Sequence, residues 1–178
     1  MSKIGRMPIA LDGVTVTASG LSLIIKGSNA EFTHELPSVL ELSLGDKEMT
    51  LSLAKDNPKN RALWGLHRAL LANKVIGASK GFETNIKLVG LGYKGQLSGD
   101  TIVFALGYSH KIEYKIPKGI SVEIDKTGQN IQVKGADKFE VGNACDAIRA
   151  FKRPEPYKGT GIFRDGDTIV RKAGKTKA

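Results

Sequence analysis

Sliding the sequence along itself by 80 positions superposes Gly27 on Gly107 and Pro37 on Pro117. At the same displacement Phe32 meets Ile112, and Leu36 meets Ile116. Leu40, Leu42 and Leu44 meet Ile120, Val122 and Ile124, and Leu51 and Leu53 meet Ile131 and Val133. Every match keeps its place in a period of two, the period of strands with one face buried. After one inserted residue near Gly135 the displacement becomes 81, so that Asp56 meets Asp137 and Arg68-Ala69 meets Arg149-Ala150. A repeat of this length means two copies of one folded unit.

Each copy reads as several short alternating strands followed by one helix, near 57 to 79 in the first and 138 to 152 in the second. Asp56 and Asp137 stand where helix N-caps are expected, Pro58 suits a first helical turn, Gly81 a C-terminal cap, and Pro154 a stop. A single helix closing the core of a small sheet gives an α+β class: two tandem duplicated domains of short, mainly antiparallel strands, each with one helix packed on its sheet. The domains are expected at 1–81 and 82–152, with a basic Pro/Gly-rich extension at 153–178. Leu63, Leu66 and Leu70 are expected to be buried under the first helix, and Ile148 and Phe151 under the second.

The copies differ at the end. The second releases RPEPYKGTGI, residues 153–162, in which Pro154 and Pro156 remove two amide donors and rule out a buried central strand. From Phe151 onward eight Lys or Arg stand against three acids, a net +5 of the chain's +9. This charge points to an anionic partner, and the basic N-terminal residues Lys3 and Arg6 add to it. The tail lacks the apolar periodicity of a core element, so its removal is expected to leave both domains folded.

Several chemistries are tested and set aside. Gly90, Gly92 and Gly95 have the dinucleotide-binding spacing, but QLSGDTIVFAL after them reads as strands, whereas that motif needs a helix opening at the third glycine. A hairpin or bulge with two adjacent strands is expected instead. His34, His67 and His110 lie far apart, without Cys or acid at metal-ligand spacing. Ser109 and His110 fall at the LGYSH turn, and because adjacent residues of a strand point to opposite faces the pair is poorly placed for nucleophile activation. Asp165-Gly166-Asp167 reads as a tight, charge-balanced turn. No catalytic residue, cofactor or metal is assigned. The lone Cys145 excludes an intrachain disulfide and suits a reducing compartment. Neither a signal peptide nor a membrane-spanning run is recognised, so a soluble intracellular protein is expected.

The tail sequence PEPYKGTGI closely resembles the signature P-E-P-Y-K-G-K-G-I of the large-subunit ribosomal protein family called L-six. SKIGRMPI at 2–9 is similar to that family's opening S-R-I-G-K-x-P-I. LVGLGYKGQL, FALGYSH, YKIPKGISVE and IRAFKRPEPYKG follow its second domain in order and spacing. One departure is Thr160, where the family usually has lysine. The resemblance implies a non-enzymatic structural constituent of the large ribosomal subunit, in bacterial cytoplasm or an organelle of bacterial descent. It implies binding to large-subunit ribosomal RNA, mainly through the second domain and tail, beside neighbouring ribosomal proteins and near the region used by translational GTPases, with no membrane partner.

Residue chemistry agrees, because A-form RNA is bound largely through phosphates, 2′-hydroxyls and shape. The candidate contacts in the tail are Lys152, Arg153, Tyr157, Lys158, Gly159, Thr160, Gly161, Arg164, Arg171, Lys172, Lys175 and Lys177. Tyr93, Lys94, Ser109 and His110 join them from two turns of the second domain, and Lys3 and Arg6 from the N-terminus. Cations supply charge-assisted contacts, glycines would let backbone approach phosphates, and Tyr157 either stacks on a base or packs on its own domain. Two alternatives stay open: a nucleic-acid-binding protein outside the ribosome, favoured by indifferent binding to any duplex, and a nucleotide-dependent enzyme, favoured by thermal stabilisation with nucleotide.

Overall fold

Apolar and polar residues alternate through six short strands before the first helix. They are β1 (Ile9–Ala10), β2 (Thr15–Ser19), β3 (Ser22–Lys26), β4 (Glu31–Glu35), β5 (Leu40–Leu44) and β6 (Glu48–Leu53), followed by α1 (Pro58–Ser79). The computed structural model describes residues 3–45, 47–55 and 57–175. The chain divides into two compact units, one up to Gly81 and one from Phe82 on. In the first, β2-β3-β4 and β1-β6-β5 are separate antiparallel sheets. The helix α1 packs on β3, β4 and β6.

The second unit holds β7 (Phe82–Val89), β8 (Lys94–Ser98), β9 (Thr101–Ala105), β10 (Ile112–Lys115), β11 (Ile120–Ile124), β12 (Asn130–Gly135), α2 (Lys138–Ala150) and β13 (Gly161–Arg164). Its sheets are β10-β9-β8 and β11-β12-β7-β13. The sheet β8-β9-β10 repeats β2-β3-β4, and β7-β12-β11 repeats β1-β6-β5, so the duplication read from the sequence is a duplication of topology. The strand β13 has no counterpart among the described residues of the first unit.

Three expectations are corrected here. Leu63, Leu66 and Leu70 do not lie in the core; they are 36%, 51% and 39% exposed. The buried face of α1 is Trp64, Leu71, Val75 and Ala78, and the Trp64 indole N–H donates to the Leu51 carbonyl at 2.8 Å. Two apolar stripes share one helix, and periodicity alone does not say which the sheet covers. In α2, Ile148 is fully buried as expected, whereas Phe151, the residue that ends the helix, is only half-buried against the same core.

Next, Asn57 caps α1, its side-chain oxygen accepting from the Lys59 amide at 3.3 Å; Asp56 lies outside the described residues. Asp137 caps α2 as expected, accepting from the Phe139 amide at 2.8 Å. Finally, β7 and β8 belong to different sheets, so GLGYK is a corner between sheets rather than a hairpin. The expected absence of a helix at Gly95 holds: Gly95 lies within β8.

Folding also joins two histidines that are 33 positions apart. His34 on β4 is buried, and its Nε2 lies 3.0 Å from Nδ1 of His67 on α1. Burial first, then the Lys74 ammonium and His67, lower the His34 pKa to about 4; burial lowers that of His67. Both rings are therefore held neutral, one nitrogen donating and the other accepting.

Candidate nucleic-acid interface

Three connections meet at one end of the second unit. The first is the corner 90–93, where Leu91 stands wholly exposed. The second is the bend 106–111 between β9 and β10, and the third the segment 151–160 between α2 and β13. The Tyr93 ring joins the first two. It lies so close to Gly90 and Gly107 that a Cβ would come within 2.6 Å of it at Gly90 and 3.2 Å at Gly107. Tyr93 is thus largely spent on structure, leaving Lys94 exposed beside it.

Tyr108 joins the second connection to the third. Its hydroxyl donates to the Phe151 carbonyl at 3.1 Å, satisfying an acceptor at the end of α2. The Lys152 ammonium lies 4.2 Å from the centre of the Tyr108 ring, and the His110 ring stacks on it with centroids 6.0 Å apart. Ser109 and His110 sit in a bend, at the LGYSH turn, and are exposed. Sequence reasoning does not single out Tyr108; the parallel between LGYK and LGYSH is the signal that marks it.

The third connection closes on itself. The Ile162 amide donates to the Lys152 carbonyl at 2.9 Å, that of Glu155 to Thr160 at 2.9 Å, that of Gly159 to Glu155 at 3.0 Å, and that of Lys172 to Pro156 at 3.0 Å. The prolines and glycines therefore build a compact loop whose tip carries the exposed Tyr157 and Lys158. Tyr157 is 55% exposed. Gly159 and Gly161 are buried, and internal packing accounts for both. At Gly159, with φ +68°, a Cβ would lie 2.8 Å from the Arg171 guanidinium; at Gly161, with φ +147°, it would lie 2.6 Å from Pro154 Cα. The Thr160 hydroxyl donates to Glu155 at 3.4 Å.

Past the loop the tail enters the fold, contrary to the expectation that it contains no core element. The strand β13 pairs with β7, Gly161 opposite Val89 and Ile162 opposite Leu88, and Ile162 is fully buried. One buried isoleucine in a four-residue edge strand is too short a pattern to show as periodicity. Arg164 turns to Asp146 at 3.4 Å. The DGD turn is as expected: Asp165 accepts from the Asn85 amide and side chain at 3.2 and 2.9 Å, and Asp167 pairs with Arg149 at 2.8 Å.

Lys94, His110, Lys152, Arg153, Tyr157, Lys158 and Thr160 thus gather on the three connections, with Ser109. Arg171 and Lys172 return to the loop through Gly159 and Pro156. Arg164 lies at the far end of β13, Lys175 is exposed beyond, Lys3 and Arg6 belong to the first unit, and Lys177 lies outside the described residues. The exposed Lys94, Arg153 and Lys158 and the half-buried Lys152, with one acid, Glu155, in the loop, form a surface suited to a polyanion. Among the described residues no group of three or more His, Cys, Asp or Glu could hold a metal ion. No described helix is long and apolar enough to cross a membrane.

Residues 89–165, which contain all three connections and β13, match the family model described as Ribosomal protein L6. The chain is 42% identical over 177 residues to the large ribosomal subunit protein uL6 of Geotalea uraniireducens, covering 99% of this chain and 98% of that protein. It is 41% identical to the uL6 protein of Aliarcobacter butzleri, covering 99% and 98%. To that of Listeria welshimeri it is 42% identical, covering 99% of each.

Proposed function

This chain belongs to the ribosomal protein L6 family, and from that premise we propose that it binds large-subunit ribosomal RNA through the end of its second unit where residues 90–94, 106–111 and 151–160 meet. It is a structural, non-enzymatic protein of the large ribosomal subunit, with ribosomal RNA and ribosomal proteins as partners. The observation that carries the RNA mode is the convergence of Lys94, Lys152, Arg153 and Lys158 around Tyr108 and the loop tip.

Each exposed cation neutralises a phosphate and releases a counterion, while Tyr157 offers a face to an unstacked base. The stacked pair of Tyr108 and His110 holds the bend and Lys152 in place before RNA arrives, which reduces the ordering cost of binding. Proximity to the region used by translational GTPases rests on the family resemblance and forms part of this proposal.

The test is binding to a large-subunit RNA fragment over a salt series. Substituting Lys152, Arg153 and Lys158 together by alanine should make the slope of log affinity against log salt shallower by roughly 0.7–0.9 for each phosphate released. An unchanged slope would remove these connections from the interface.

A further inference from the structure

The first unit carries a surface that its own fold does not explain. Leu63, Leu66 and Leu70 stand at i, i+3 and i+7 on α1, each more than a third exposed, and Lys59 extends the same stripe toward the helix N-terminus. This is the spacing with which a helix presents anchors to a partner helix or groove.

The duplication supplies an internal control. Superposing the two helix caps, Asn57 on Asp137, sets Leu63, Leu66 and Leu70 on Asn143, Asp146 and Ala150 of α2. All three are exposed and none is a large apolar residue, so the shared fold does not require large apolar groups there. Glu140 lies in the first turn of α2, where the helix dipole favours an acid. In α1 the first turn contains no acid, and the whole helix has Lys and Arg but neither Asp nor Glu. Both differences cost the isolated unit something: a leucine left in water and a cation at the positive end of a helix. Both become favourable if an apolar, acidic surface covers the stripe.

We infer that Leu63, Leu66 and Leu70, with Lys59, form a docking face for an acidic amphipathic helix of a protein partner. The apolar anchors argue for protein rather than RNA, because phosphates and 2′-hydroxyls gain nothing from three leucine side chains. The partner would lay apolar residues on the leucines and a carboxylate against the Lys59 ammonium.

A photo-crosslinking residue placed at Leu66, or at the exposed Ala147 of α2 as the control, tests this in large subunits purified from cells in which the labelled full chain replaces the unlabelled one. The expected result is a crosslink from position 66 to a protein helix carrying Asp or Glu beside its apolar face. Yield to protein should be at least fivefold above that from position 147. Adding Lys59→Glu should cut the yield at least fivefold. That substitution suits the helix dipole, so α1 stays folded, and an unchanged melting temperature would separate lost docking from lost structure. Crosslinks mainly to RNA, crosslinks to a segment without acids, yields equal to the control, or indifference to Lys59→Glu would each overturn the inference.

Discussion

Replacing Ile162 by alanine tests whether the basic tail belongs to the fold. Ile162 is fully buried, opposite Leu88 in the antiparallel pair of β13 with β7. Alanine removes three carbons, worth about 2.4 kcal/mol at about 0.8 kcal/mol per buried methylene. The cavity left behind adds to this, giving a total of about 2–5 kcal/mol. For a domain of this size each kcal/mol shifts the melting temperature by about 4–8 °C, so a fall of roughly 10 °C or more is expected in the second unit.

Hydrogen exchange read by mass spectrometry assigns the loss: peptides from β7, β12 and α2 should lose protection. Fluorescence of the chain's one tryptophan, Trp64, reports separately on the first unit. Val170→Ala, at a residue 86% exposed, is the control and should stay within about 0.5 kcal/mol of the parent. A shift below about 3 °C for Ile162→Ala would mean that β13 is not a working part of the core. The sequence expectation that residues 153–178 can be removed without unfolding would then return.

Cutting the chain after Asp167 keeps β13 while removing Arg171, Lys172 and Lys175; the second unit should still melt cooperatively, with a shallower salt dependence of RNA binding. Lys158→Ala should reduce that slope by about one at most and change stability by less than about 0.5 kcal/mol, measured by the same salt series and by melting curves. Tyr108→Phe loses the bond to the Phe151 carbonyl and should cost about 0.5–1.5 kcal/mol, read by denaturant titration. His34 has its pKa lowered to about 4 in the folded unit against 6.5 unfolded, so the unfolded chain binds more protons between those values. The stability of the first unit should therefore be full above pH 6.5 and fall as pH drops toward 4, and His34→Gln should flatten that dependence in Trp64-monitored denaturation.

The sequence alone determined whatever depends on local pattern or on comparing the chain with itself. Period-two alternation placed the strands, Pro58 and Asp137 marked the helix starts, and the displaced match of Leu51 and Leu53 with Ile131 and Val133 gave two copies before any coordinate was known. The concentration of charge after Phe151 and the PEPYKGTGI signature pointed to the interface for the same reason, since both are properties of a contiguous stretch. Tertiary structure decided what depends on contacts between distant residues. Which of two apolar stripes of α1 faces the sheet follows from the way β3, β4 and β6 pack against it, and the answer was Trp64 and Leu71 rather than Leu63 and Leu66. The tail's glycines looked available to phosphates because a sequence does not show Arg171 and Pro154 already lying against them. Tyr108 joins His110 to Lys152 across 42 positions of chain, and only the closure of the helix end onto the β9–β10 bend brings that group together.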